Sequence, residues 1–324
     1  MDASTISQQV LADVVGLACR APSVHNTQPW RLVARDGELR LFLEPHRVPR
    51  ATDRSGRQSV ISCGALLDHL RVAAAAAGWK AHIARFPNPN DLDHLATLDF
   101  RRMEFVGEAD QARADAILRR RTDRLPFAAP ASWAFVEPVV RATVDPDKAI
   151  LSVLPETVRP QLAEASRLTE SLRRYDDYYH AELHWWTGAF EVSDGVPHSA
   201  LPSTSERDRV DVGRAFPTVE HPDRRTETDH SAIAVLSTDG DGRREALGCG
   251  EVLSDVLLEA TLAGLATCTL THITELEASR AIIRALIGDV GDPQLLIRIG
   301  QIAASDDPPP PTPRRPLGDV LTFR

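Results

Sequence analysis

Apolar positions keep helical spacing in some stretches of this chain and cluster into short runs in others. Ile6, Val10, Leu11, Val14, Val15, Leu17 and Ala18 recur with the helical period and predict a first helix. Pro22 stops it, because the residue before a proline avoids helical geometry. "RLVARDGELRLFLEP" places two apolar runs around Asp36-Gly37 and predicts a hairpin. "SVISCGALLDHLRVAAAAAGW" predicts a buried helix ending near Gly78. "KAHIARFP" and "HLATLDFRRMEF" predict strands, and "DQARADAILRRR" a short helix running into a basic cluster. Residues 150–175 carry a helical pattern around "LAEASRLTESL". "SAIAVLST" predicts a strand, "EVLSDVLLEATLAGLATCTLTHI" a second apolar helix and strand, "ELEASRAIIRALIG" a helix and "PQLLIRIGQI" a strand. "DDPPPPTPRRPLGDVLTFR" begins as an extended proline run.

The two long apolar helices repeat one another at an offset of 186 residues, from Cys63-Gly64 to Cys249-Gly250. Leu67, Ala74, Ala77 and Gly78 then meet Leu253, Ala260, Ala263 and Gly264. Helices that touch closely need Gly and Ala where their backbones meet, so the pattern predicts an internal duplication whose two helices pack together.

Composition narrows the class. At 324 residues with 43% hydrophobic and 26% charged positions, the chain is an ordinary globular protein of one large or two moderate domains. A net charge of −9 argues against a nucleic-acid or acidic-membrane surface. "MDASTISQQV" lacks a basic start and apolar run, and no stretch approaches 18 uncharged apolar residues. The four cysteines sit in apolar segments without a CxxC pair, as expected for reduced, buried thiols in a cytoplasmic protein.

Two stretches carry candidate chemistry. In "RAPSVHNTQPWR", Ser23, His25, Asn26 and Gln28 present four hydrogen-bonding groups in six residues, more than a turn needs. In "RRRTDR", Arg120, Thr122 and Arg124 fall on alternate positions and share one side of an extended segment, where two guanidiniums and a hydroxyl suit a phosphate. Arg314-Arg315, on the proline arm, can reach the same anion. "YDDYYHAELHWW" concentrates all three tyrosines in an interval, 175–230, that reads as a lid. Asp176, His180 and His184 fall on one helix face as a partial metal set, but the HExxH context is missing and exposed lid residues explain them more simply.

"APSVHNTQPW" resembles the Pro-Ser-x-x-Asn-x-Gln-Pro-Trp motif of the flavin-dependent nitroreductase family, and "RRTDR" that family's Arg-x-Ser-x-Arg/Lys phosphate motif, with Thr122 in the serine place. "GCGEVLSDVLLEATLAGLATCTL" is similar to its central helix and following strand, and "PPTPRRPLGDVL" to its basic ending. Here the Pro-Ser motif precedes the arginine motif, the reverse of the usual order. That order matches the Acg-like branch, a single-chain, internally duplicated group known from actinobacteria. The resemblance implies a mixed α+β nitroreductase-like fold with two related halves, 1–115 and 116–324, forming an intrachain pseudo-dimer around one FMN. It implies that Arg120 and Arg315 hold the FMN phosphate, with Arg314 as a secondary candidate, Thr122 at the phosphate or ribityl chain and Arg124 at the ribityl and pyrimidine side. Pro22, Ser23, Asn26 and Gln28 would line the ring from the other half, and Leu270, Thr271 and His272 would lie near N5. His25 would be a wall residue. The implied activity is two-electron transfer from NAD(P)H to a small nitroaromatic or quinone acceptor, with no catalytic side chain needed, by a monomer acting as a pseudo-dimer or by a homodimer. The alternative is an FMN-binding or storage protein whose lid covers the flavin and allows little turnover.

Overall fold

The computed structural model describes residues 5–131, 133–188, 194–302 and 311–324. Ten helices and nine strands fall within them: α1 (Gln8–Ala18), β1 (Trp30–Arg35), β2 (Glu38–Leu43), α2 (Arg57–Ala76), β3 (Trp79–Arg85), β4 (His94–Arg102), α3 (Glu108–Arg119), α4 (Trp133–Ala142), β5 (Ile150–Leu154), α5 (Arg159–Arg173), α6 (Asp177–Trp186), α7 (Thr204–Asp208), β6 (Ala232–Thr238), α8 (Arg243–Leu262), β7 (Ala266–Leu270), α9 (Glu277–Leu286), β8 (Asp292–Gly300), α10 (Leu317–Val320) and β9 (Leu321–Phe323). The predicted hairpin turns at Asp36 and Gly37, both at positive φ. The helical reading of 150–175 is corrected at its start. Ile150–Leu154 is a strand on the edge of a sheet, paired antiparallel to β6, and the helix begins only at Arg159.

The first sheet has the order β3-β4-β2-β1-β9, antiparallel except that C-terminal β9 runs parallel to β1. The second has the order β5-β6-β8-β7 and is antiparallel throughout. One core runs from Leu32 and Leu41 of the first sheet through α2 and α8 to Leu236, Leu295 and Ile297 of the second. The other face of the second sheet, with Val235, Leu270 and Leu296, packs on α5 and α9. A sheet buried on both faces needs near-continuous apolar strands, hence "PQLLIRIG".

The two 20-residue helices α2 and α8 cross with backbones in contact. A Cβ added at Gly64 would stand 2.1 Å from the Leu247 carbonyl oxygen, and one at Gly250 would stand 2.0 Å from that of Ile61. The contact is reciprocal, and only glycine permits it. Ser254 Oγ donates to the buried Asp68 across the same crossing at 2.6 Å. By length and composition α2 alone of the described helices could cross a membrane, but 83% of its apolar window is buried in protein. All four cysteines are free and buried.

Candidate functional site

The amide-rich stretch folds into a tight corner at the end of α1. His25, Asn26 and Gln28 all take positive φ, a conformation that side chains rarely adopt. Local hydrogen bonds hold it: Gln28 N donates to Ser23 Oγ at 3.1 Å, and Val24 N donates to Ser62 Oγ of α2 at 3.1 Å. Asn26 Nδ2 donates to the carbonyls of Gly195 at 2.9 Å and Pro313 at 3.1 Å. Gln28 Oε1 accepts from the backbone N–H of Arg315 at 2.9 Å. The two amides therefore pin two distant segments to the corner: the chain beyond α6, and the C-terminal arm.

That arm delivers its two arginines differently. Arg315 donates to the carbonyls of Gln28 and Trp30 at 3.2 and 3.1 Å, and its side chain stands apart from the cationic cavity. Arg314 lies on that cavity, held by the carbonyls of Cys19 at 2.7 Å and Arg20 at 3.0 Å. Part of the proline run, 303–310, lies outside the described residues.

Across the cavity, Arg120 closes the end of α3 at only 6% exposure. Its Nε and one terminal nitrogen are buried without a partner among the described residues. Arg20 and Arg121 stand beside it, two residues the motif reading missed although both adjoin the motifs. Among the described residues, none of Arg20, Arg120, Arg121, Arg124 and Arg314 forms an ion pair with a carboxylate, whereas most other arginines do. Burial, then the neighbouring charges of Arg121 and Arg20, pulls the Arg120 guanidinium down to about 10. Burial, then Arg20 and Arg120, pulls Arg314 down to about 9. A guanidinium keeps its proton under ordinary conditions, so strain of this kind is relieved by an anion.

The cavity continues into a second chamber. Pro22, Ser23, Thr122 and Arg124 line both. The extended reading of "RTDR" holds: Thr122 bridges Thr267 of β7, while Asp123 turns away to pair with Arg225 at 2.7 Å. Ile61 of α2, Leu253 of α8 and Leu295 of β8 give the second chamber apolar surface. Leu270 at the end of β7, with Thr271 and His272 just after it, forms another wall, and His25 lines the chamber from the corner. Phe216 and Arg214 close it from the segment after α7. Arg124 stacks over Phe216 at 5.2 Å and lines both chambers, as well as an adjoining cavity bounded by α5 and α7.

The interval 175–230 gives the cleft part of its wall through Val196, Ala200, Arg214 and Phe216, and not through its aromatic run. Tyr175, Tyr178 and Trp185 are 75–85% exposed. Tyr179 is buried and accepts from Arg214 at 2.7 Å. Arg214 also pairs with the buried Glu275. Elsewhere Glu182 of α6 accepts from the backbone of Ala51 and Thr52 at 2.9 and 2.8 Å, and Arg47 pairs with Asp194. Asp176 caps α6 and binds Arg173, and among the described residues no group of three His, Cys, Asp or Glu is placed to hold a metal. Sequence patterns offered no signal for Arg214 or Phe216, which sit in irregular chain.

Frame and cleft together define a class: an α+β protein with two sheets flanking a crossed helix pair and a cleft, cationic at one end and apolar at the other, assembled from both halves of the chain. No family model matches the sequence. The acg protein of Mycobacterium tuberculosis H37Rv, named provisionally as an NAD(P)H nitroreductase, is 56% identical over 100% of this chain and 98% of its own. Rv3127 of the same organism, uncharacterised, is 53% identical over 97% of this chain and 93% of its own. Rv3131, a further provisional NAD(P)H nitroreductase, is 37% identical over 97% and 92%. The chain belongs to this acg-type family of nitroreductase-like proteins. The solved structure of the FMN-dependent nitroreductase NfnB from Mycobacterium smegmatis, in complex with NADPH, aligns at a TM-score of 0.40 with 15% identity over 67% of this chain and 100% of that one. Likeness of that order leaves the assignment to the sequence relatives.

Proposed function

We propose that the cleft binds one FMN and that the chain passes two electrons from NAD(P)H to a small electron-poor acceptor of nitroaromatic or quinone type. One observation carries this: the amide-rich corner and the guanidinium cluster, about a hundred residues apart in sequence, line one cleft, and among the described residues no carboxylate pairs with its buried Arg120. Arg120 and Arg314, with Arg20 and Arg121, would hold the phosphate. Thr122 would sit at the junction of phosphate and ribityl chain, and Arg124 at the ribityl and pyrimidine side. Pro22, Ser23 and residues 270–272 would flank the ring. Asn26 would line the phosphate end, and Gln28 and Arg315 would act one layer out, by fixing the corner and the arm. FMN, when bound, would supply the hydride chemistry; the protein's part is to orient it and to set a cation where negative charge grows. Donor and acceptor using one ring face in turn would give ping-pong kinetics.

A second reading, FMN storage with little turnover, draws support from the many contacts that fasten the lid: Glu182 to Ala51 and Thr52, Arg214 to Glu275, and Arg47 to Asp194. The reciprocal glycine contact between α2 and α8 supports an internal duplication with halves near 1–115 and 116–324, acting as a monomeric pseudo-dimer or a homodimer. The buried free thiols fit a cytoplasmic location. The visible spectrum of the purified protein tests the proposal. A yellow protein bleached by NADPH and recoloured by a nitroaromatic is the expected result. A yellow protein indifferent to NADPH and NADH selects storage, and failure to take up FMN overturns both.

A further inference from the structure

Four guanidiniums line the cationic end of the cleft, those of Arg20, Arg120, Arg121 and Arg314. Arg314 spends all three of its nitrogens on carbonyls, Nε on Cys19 at 2.7 Å, Nη1 on Thr312 at 3.2 Å and Nη2 on Arg20 at 3.0 Å. It therefore brings charge more than free donors. The other three are sparingly held. Arg120 Nη2 donates to the Arg20 carbonyl at 3.5 Å, and Arg20 Nη1 to the Thr312 carbonyl at 3.4 Å. Arg121 Nη1 donates to the carbonyls of Leu118 and Arg120 at 2.6 and 2.8 Å. Each of the three keeps two nitrogens without a hydrogen bond among the described residues. Arg120 is buried, whereas Arg20 and Arg121 are half-buried and form an outer pair. Burial, then the charge of Arg20, lowers the Arg121 guanidinium, so the two outer cations crowd each other. Charge decides how much anion this place needs. A phosphate monoester brings at most about two negative charges. The carbonyls that hold these arginines belong to the ends of α1 and α3, and each helix end adds roughly half a negative charge. Against four cations, about one positive charge is left without a counterpart, and partial burial makes that costly.

We infer that the cationic end of the cleft is a two-anion site, which takes a second phosphoryl-type oxyanion on the outer pair, Arg20 and Arg121, beside the phosphate of the mononucleotide. The inference rests on the FMN reading. Arg120, buried with free donors, serves the first anion, and Arg314 adds charge to both. Arg20 and Arg121 are open enough to meet a group that arrives from solution, and their unpartnered nitrogens suit the several oxygens of a phosphate. The second group has two possible sources with one chemistry: a further phosphate on the flavin ligand itself, or a free oxyanion.

Titration of the FMN-loaded protein with inorganic phosphate tests this, with chloride holding the ionic strength constant and flavin release followed alongside. Phosphate should raise the thermal midpoint of the loaded protein saturably while the flavin stays bound. Arg20→Gln and Arg121→Gln should each weaken phosphate binding about tenfold, a larger factor than either takes from FMN retention. Flavin adenine dinucleotide, offered to the apoprotein, separates the two sources. If it outbinds FMN and abolishes the phosphate response, the ligand carries the second group. If it binds no more tightly and the response persists, the second group is a free oxyanion. Either result upholds the two-anion site. Displacement of FMN by phosphate without stabilisation overturns it, because one place would then serve both anions. So does the absence of any phosphate response, or an equal loss of phosphate and FMN affinity in both variants. A wild-type protein that takes up no FMN overturns the underlying reading instead.

Discussion

The N-terminal ends of α2 and α8 make an instructive pair. Gln58 and Ser62 of α2 line the cleft; at the 186-residue offset stand Arg244 and Gly248 of α8, which line a separate pocket with Arg85 and Lys148. Both places gather cations. At the α8 end they are matched: Arg85 donates to Glu251 at 2.7 and 2.6 Å, Lys148 reaches the same carboxylate at 3.1 Å, and Arg244 stacks over Phe86 at 5.5 Å. At the cleft no carboxylate pairs with the five arginines among the described residues, and burial, then the neighbouring guanidiniums, depresses Arg120 and Arg314. Pairing, rather than the number of arginines, separates a ligand site from a structural one. A buried cation without a counter-charge is a cost that folding alone does not repay.

The crossing shared by both ends gives the largest expected effect. Gly64→Val should drive side-chain atoms into the Leu247 backbone, where no flexible group can yield. A loss of about 3 kcal/mol or more is expected, read as a lower midpoint in chemical denaturation. Next, Arg120→Ala should weaken FMN retention by about 1.5–3 kcal/mol, the value of a charge-assisted contact, in equilibrium dialysis. Arg85→Ala should leave retention unchanged, and an equal loss from both would erase the distinction drawn here. Glu251→Gln should strand Arg85 and Lys148 and lower stability by about 1–3 kcal/mol while FMN retention holds. The smallest effect is a pH dependence at the crossing. Burial, then the neighbouring Asp68 charge, raises the Asp255 carboxyl to about 6. A carboxyl raised in the folded state stabilises the fold below its unfolded value of 3.8, and that stability is lost as pH rises through 6. Unfolding free energy should therefore fall between about pH 4 and 6, with a shallower slope in Asp255→Asn.

Much of the frame was legible because periodicity and punctuation agree with burial. Asp36-Gly37 marks its hairpin, Gly78 ends α2 at positive φ, and the small residues of α2 and α8 announce a close crossing. The edge strand at Ile150–Leu154 was misread because five aliphatic-rich residues before a helix fit either period, and only pairing with β6 decides. Within the site, residues in motifs were found while those in irregular chain were not. Arg120, Thr122, Arg124, Arg314 and the Pro22–Asn26 corner converge, but Gln28 and Arg315 support rather than line the cleft. Phe216 and Arg214 act through tertiary placement of a loop, which leaves no local pattern. The exposed tyrosines lie on a helix that lines none of the cleft chambers, while the wall residues of that interval, Val196, Ala200, Arg214 and Phe216, come later in the chain.

Comparing FMN with riboflavin on the apoprotein tests the central claim most directly, because the two ligands differ only in the phosphate. Calorimetric titration should give one FMN per chain, bound at least tenfold more tightly than riboflavin, with most of that margin gone in Arg120→Ala. Equal affinity for the two flavins, or a margin untouched by Arg120→Ala, would contradict it.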